Sequence, residues 1–275
     1  MRWRSLATVA AVGAAWLAVA CLDISSPVTG ISSITTVLLP TPSVVVNDSL
    51  RDTSGAVKPL AVYAFGPNGD TVRDVVVRYF AIDSTQKLHV DSITGQAWGE
   101  ALSPLAKVVA RVTPANGKGT IQTLQVPLPV VPTPIRATKG DSLMDFPFDP
   151  TTIDTLASGV LSPSLDVTVL GNPDTTIQSY VVSYKIVRMP ASKNNAGEPT
   201  VKIFDRSGND STIAITSPSG VASRQLRVRL GALPPPLLVG AATDTVVVQV
   251  RVLYQGNPLP IAQTDSFTLV LRAKF

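Results

Sequence analysis

The chain has 275 residues, a formal net charge of +4 at neutral pH, 45% hydrophobic residues and only 15% charged ones. With one His and one Cys, a zinc site of several Cys and His ligands, an intrachain disulfide and a CxxC redox pair are excluded, and a Ser-His-Asp triad would need His89 itself. Pro (23) outnumbers the aromatic residues, which points to a β-rich, loop-punctuated, non-catalytic protein without a cofactor, built as one large or two medium domains.

Residues 1–20 read as a secretory signal. Arg2 and Arg4 make a positive start, and an uncharged run rich in Ala, Val and Leu follows to Ala20. The run is shorter than the about 20 residues that a spanning helix needs. It ends in Leu17-Ala18-Val19-Ala20-Cys21, which resembles the lipobox of bacterial lipoproteins, with Leu one place earlier than the commonest pattern. The resemblance implies that Cys21 is acylated and becomes the mature N-terminus, making the lone Cys a membrane anchor rather than a redox group. The alternative is an ordinary signal peptide cut near Ala20, with Cys21 a bystander. Asp23 stands one place after the position where Asp retains lipoproteins of the enterobacterial type at the inner membrane. The resemblance therefore implies a bacterial outer-membrane location. Arg2 and Arg4 leave with the signal, so the mature chain is nearer to neutral and nucleic-acid binding has no electrostatic support. Residues 21–34, mostly Ser, Thr, Gly and Ile, read as the lipidated Cys and a tether, with a reach of roughly 40 Å when extended.

From residue 35 to 127 short runs alternate with period 2 between turn residues. Leu60, Val62 and Ala64 share a face and precede the turn Gly66-Pro67-Asn68-Gly69-Asp70. Val75, Val77 and Tyr79 alternate with Val76, Arg78 and Phe80. Leu88 and Val90 flank His89, and Val108, Ala110 and Val112 alternate with Lys107, Val109 and Arg111. Such runs predict strands, and many short strands without helices predict an all-β sandwich or barrel rather than a parallel α/β sheet. The ordered set Leu60-x-Val62-x-Ala64, Gly69, Val72, Val77-x-Tyr79, Leu88-x-Val90, Gly95-x-Ala97 and Val108-x-Ala110 resembles bacterial immunoglobulin-like repeats, with Tyr79 where the family usually has Trp. The resemblance implies a seven-stranded antiparallel sandwich with no catalytic residues.

Residues 128–159 begin with Leu128-Pro129-Val130-Val131-Pro132-Thr133-Pro134 and are expected to form a Pro-rich, irregular linker. Residues 160–275 repeat the strand logic as a second sandwich. Leu165, Val167 and Val169 open it. Tyr180, Val182, Tyr184 and Ile186 share a face, Val246 to Val252 alternate cleanly, and Phe267, Leu269, Leu271, Ala273 and Phe275 close the chain. Ser219-Gly220-Val221-Ala222 resembles the Gly-x-Ala turn of invasin- and intimin-type domains and parallels Thr94-Gly95-Gln96-Ala97.

The candidate sites are few. Asp141, Asp145, Asp149 and Asp154 could offer oxygen ligands to Ca²⁺, although the EF-hand spacing is absent. The same carboxylates could pair as in a glycosidase. His89 is expected to be a solvated strand residue. Arg227, Arg229, Arg251, Arg272 and Lys274 are expected on an outward sheet face, within reach of lipid phosphates. The aromatic C-terminus resembles the closing strand of an outer-membrane barrel, but the aromatics are too sparse for girdles. The expected function is a non-enzymatic, lipid-anchored envelope protein. Its sandwiches would serve as spacer and adhesion-type interaction modules for another envelope protein or a surface glycan. The alternative is a carbohydrate-binding module using Trp98, Tyr63 or Phe80. A small barrel or a hydrolase is a more distant alternative.

Overall fold

The structure, a computed structural model, describes residues 31, 33–83, 85–115, 121–149, 159–192, 199–262 and 264–274. The signal, Cys21 and Asp154 lie outside the described residues. The fold is all-β, as the alternation predicts.

The first set of strands is β1 (Ser33–Leu38), β2 (Val44–Val45), β3 (Asp48–Ser49), β4 (Ala61–Phe65), β5 (Thr71–Val72), β6 (Val75–Ile82), β7 (Leu88–Val90), β8 (Ala97–Gly99), β9 (Lys107–Pro114), β10 (Gln122–Pro127) and β11 (Val130–Val131). They form the sheets β10-β9-β6, β1-β4-β5 and β3-β8-β7, and the parallel pair β11-β2. β9 shows the cause most plainly. Val108, Ala110 and Val112 are fully buried, while Lys107 and Arg111 are exposed, because successive side chains point to opposite faces. The core is Val37, Leu60, Tyr79, Leu88, Val108 and Leu128 with their neighbours. Ile31, placed in the expected tether, is buried against Ala64 and Val112, so the folded part starts before residue 35.

The second set is β12 (Arg136–Lys139), β13 (Leu143–Phe148), β14 (Val160–Leu161), β15 (Leu165–Leu170), β16 (Val181–Arg188), β17 (Val201–Phe204), β18 (Ile213–Ile215), β19 (Val221–Val228), β20 (Asp244–Arg251), β21 (Leu253–Tyr254), β22 (Asn257–Pro258) and β23 (Ser266–Ala273). A short helix α1 (Pro235–Leu238) precedes β20. One sheet runs β12-β15-β19-β14 with β17 on β19, and the facing sheet runs β13-β23-β20-β16-β18. The pairings are antiparallel except for β13, which enters the second sheet parallel to β23. Two such layers, with the entering segment β12–β13 shared between them, make an immunoglobulin-like sandwich. Val167, Val182, Tyr184, Leu226, Val248 and Leu269 interdigitate between the layers.

The linker expectation is corrected in part. Of residues 128–159, Val130–Val131, Arg136–Lys139 and Leu143–Phe148 are strands and Leu128 is fully buried. Proline lacks a donor but keeps its carbonyl. Val44 N donates to Pro129 O at 3.0 Å, Val46 N to Val131 O at 2.9 Å, and Val130 N to Ser103 O at 2.9 Å. The prolines thus leave room for two-residue pairing at an edge. In β13, Phe146 and Phe148 point into the second core while Leu143, Asp145 and Pro147 face out.

The two halves share one detail of their cores. The Tyr79 hydroxyl donates to Leu60 O at 3.3 Å, and the Tyr184 hydroxyl to Leu165 O at 3.1 Å, each across 19 residues. The Gly95 and Gly220 parallel is looser. Both have positive φ, but Leu60 N bonds Gly95 O, whereas Leu165 stands opposite Arg224. The two glycines therefore occupy different places in their sandwiches.

Candidate functional site at the junction of the sandwiches

The segment before β4 and the hairpin β21–β22 meet between the two sets of strands. Both tips are turns. The turn of residues 52–56 closes through Asp52 N to Ala56 O at 2.8 Å, and Gln255 and Gly256 both have positive φ, as a two-residue hairpin turn requires. A Cβ on Gly55 would lie 2.3 Å from Gly256 Cα, so only glycine lets the two backbones approach this closely. Beside them the Ser43 hydroxyl donates to Ser179 O at 2.7 Å. Val45 and Val131, from the first set of strands, are buried in the second core.

A cleft of about 50 Å³ lies in this junction, lined among others by Asp48, Arg51, Tyr180, Arg251 and Tyr254. It has room for a few waters. The Asp48 side chain is only 5% exposed. Its charge is compensated by Arg51, whose Nε donates to both carboxylate oxygens at 3.1 and 2.9 Å and whose Nη2 donates to Oδ1 at 2.9 Å. Arg51 Nη1 donates to Gly55 O at 2.9 Å. The pairing with Asp48 raises the Arg51 pKa further. Tyr180 donates to Leu253 O at 2.7 Å, and burial pushes its ionisation well above the usual tyrosine range. The cleft therefore holds a neutral phenol and a carboxylate saturated by its arginine. A shallower groove of about 500 Å³ continues along Arg251, Gln249 and Asp265.

The expected site residues are scattered. Asp145 lies on the outward face of β13 and pairs with Arg272 of β23. Asp141 precedes β13 and Asp149 follows it. Residues four apart on a strand are separated by roughly 13 Å. Among the described residues, no three His, Cys, Asp or Glu side chains converge as a metal-binding group. His89 is exposed as expected, stacked on Trp98 at 5.4 Å and paired with Glu100 at 2.7 Å. Tyr63, Phe80 and Trp98 are all exposed, but they stand on β4, β6 and β8, in three different sheets. Arg227 is not simply solvated. Its guanidinium lies 4.2 Å over the Phe204 ring and its Nε is buried without a hydrogen bond among the described residues. Asp48 and Arg51 were missed because an Asp-x-x-Arg spacing on short strands carries no signal until burial is known.

No protein-family model and no curated sequence matches the chain. Similar solved structures include the adhesin InvE of Yersinia pseudotuberculosis, at 13% identity and a TM-score of 0.33, covering 86% of this chain and 58% of that one. They also include chicken VE-cadherin EC1-2, at 10% identity and a TM-score of 0.26, covering 78% of this chain and 91% of that one. A third is a β-glucuronidase of Parabacteroides merdae, at 12% identity and a TM-score of 0.27, covering 84% of this chain and 23% of that one.

Proposed function

We propose that the chain is a non-catalytic, lipid-anchored protein of the bacterial outer membrane, held by acyl groups on Cys21, whose sandwiches act as spacer and interaction modules. The observation that supports this reading best is the junction. Apolar side chains shared with the second core, the apposed Gly55 and Gly256 turns and the saturated Asp48–Arg51 pair make a packed connection, which suits a spacer more than a hinged, substrate-closing cleft. The partner is another envelope protein or a surface glycan, met through loops and sheet faces.

Metabolic labelling with a palmitate analogue tests the anchor. Wild-type protein takes up the label and partitions with membranes, and Cys21→Ser does neither. A wild-type protein that takes up no label overturns the reading. Adhesion-type binding is tested by pull-down from intact envelopes with the anchor-free chain as bait. The glycan reading is tested by adding Trp98→Ala, which removes the exposed ring stacked on His89.

A further inference from the structure

The outward face of the sheet β10-β9-β6 carries Arg78, Lys107 and Arg111, all exposed. Arg78 stands directly opposite Arg111 across the ladder, and Ile82 opposite Lys107. Like charges directly opposite on a sheet repel and destabilise it. None of the three forms an ion pair or side-chain hydrogen bond with a described residue. Lys, Arg, Asp and Glu nearly balance over residues 31–134, yet no outward position of β6, β9 or β10 is acidic. The charge is therefore segregated on this face.

Apolar residues surround these cations. Val76, Phe80 and Ile82 are 42%, 46% and 49% exposed. At the end of the face a groove of about 530 Å³ opens beside Lys107, walled by Ile82, Leu102 and Leu105. Leu105, at 84%, is a fully presented aliphatic side chain on a loop. The nearby Asp83 carboxylate is occupied by its own turn, accepting from Lys87 N at 2.7 Å and from the Thr85 hydroxyl at 3.0 Å. In the second sandwich two of the exposed cations are neutralised, Arg272 by Asp145 and Arg188 by Asp244.

We propose that this face of the first sandwich docks on a bilayer surface bearing anionic lipid headgroups. Headgroup phosphates seat between Arg78 and Arg111 and beside Lys107. Phe80, Ile82 and Leu105 enter the boundary between headgroups and acyl chains. The charge pattern selects this occupant. A second copy placed face to face would double the unpaired positive charge, whereas an anionic surface relieves the Arg78–Arg111 repulsion. The mixture of cations with exposed aliphatic and aromatic side chains is what an interfacial contact uses. The contact is separate from any acyl anchor and would set how the first sandwich lies against the membrane.

The test uses residues 22–275 without an acyl group, so its outcome is independent of whether Cys21 is lipidated. The chain is sedimented with phosphatidylcholine vesicles and with vesicles carrying about one-third phosphatidylglycerol. It should pellet with the anionic vesicles alone and be released in roughly 1 M salt, where the screening length falls to about 3 Å. Each basic residue at an anionic surface contributes roughly fivefold to partitioning. Arg78→Gln with Arg111→Gln should therefore lose roughly 25-fold, and Leu105→Asp severalfold, with thermal melts confirming that both variants fold. Equal binding to both vesicle types, binding to neither, or a double Gln variant that pellets like wild type would overturn the proposal. So would pull-down of an acidic envelope protein by this face with no vesicle binding. The wild-type salt and lipid dependence decides the matter even if a variant fails to fold.

Discussion

Gly220→Val should unfold the second sandwich at a markedly lower temperature, and two separate effects set the size of the loss. Gly220 has φ +77°, a conformation that costs a β-branched residue about 1–3 kcal/mol. A Cβ there would also lie 2.6 Å from Thr176 Cβ and 3.2 Å from Ile177 N. Ile177 is fully buried and its N–H is bonded to Val169 O at 3.0 Å, so the segment cannot move aside without breaking that hydrogen bond. Overpacking of this kind costs about 1–3 kcal/mol. The sum, about 2–6 kcal/mol, is a large part of the stability of a marginal domain. Gly69 supplies the control. Its φ is +81°, and a Cβ there would meet nothing within 4 Å, so Gly69→Val should lose only the backbone part. Thermal and urea unfolding of residues 22–275 measures both variants. If Gly220→Val loses no more than Gly69→Val, the close packing on Thr176 is not what demands glycine.

Asp48→Asn should destabilise the junction by about 2–4 kcal/mol, because Arg51 loses its charge partner at a site where the carboxylate is 5% exposed; chemical unfolding of the variant checks this, and a neutral result would mean the pair is solvated. Alkaline pH should weaken the fold. Burial raises the Tyr184 and Tyr180 ionisations in the folded state, so above about pH 10 the unfolded chain loses protons that the folded one keeps, and stability falls as pH rises. Melting curves from pH 8 to roughly 12 should show this decline, and a flat profile would contradict it. Limited proteolysis should spare residues 128–148, which are paired or buried along much of their length; early cuts there would show that the strand pairing is not maintained in solution.

Period-2 alternation made the long strands of both sandwiches legible in the sequence. Tyr180, Val182 and Tyr184, then Val246, Val248 and Val250, and Phe267, Leu269 and Leu271 all bury the face that alternation predicts. The reason is geometric, since a strand half-buried against a core must alternate. Tyr79 and Tyr184 were legible as inward positions for the same reason, and both are buried.

Where the chain depended on distant partners, the sequence was silent or misleading. The prolines around Val130 read as a linker, yet the Pro129 carbonyl accepts from Val44 and an edge pair forms. β13 was hidden because Asp145 and Pro147 occupy its outward positions. Sequence distance says nothing of the approach of Gly55 to Gly256, or of Asp48 and Arg51 to Tyr180. Local patterning by itself determined which residues form strands and which face each strand buries, because both follow from the chain's own two-residue period. Only the tertiary structure decided which strands become neighbours, where the two sandwiches touch, and that Arg78 and Arg111 stand opposite each other, because pairing and docking bring together residues that no local pattern links.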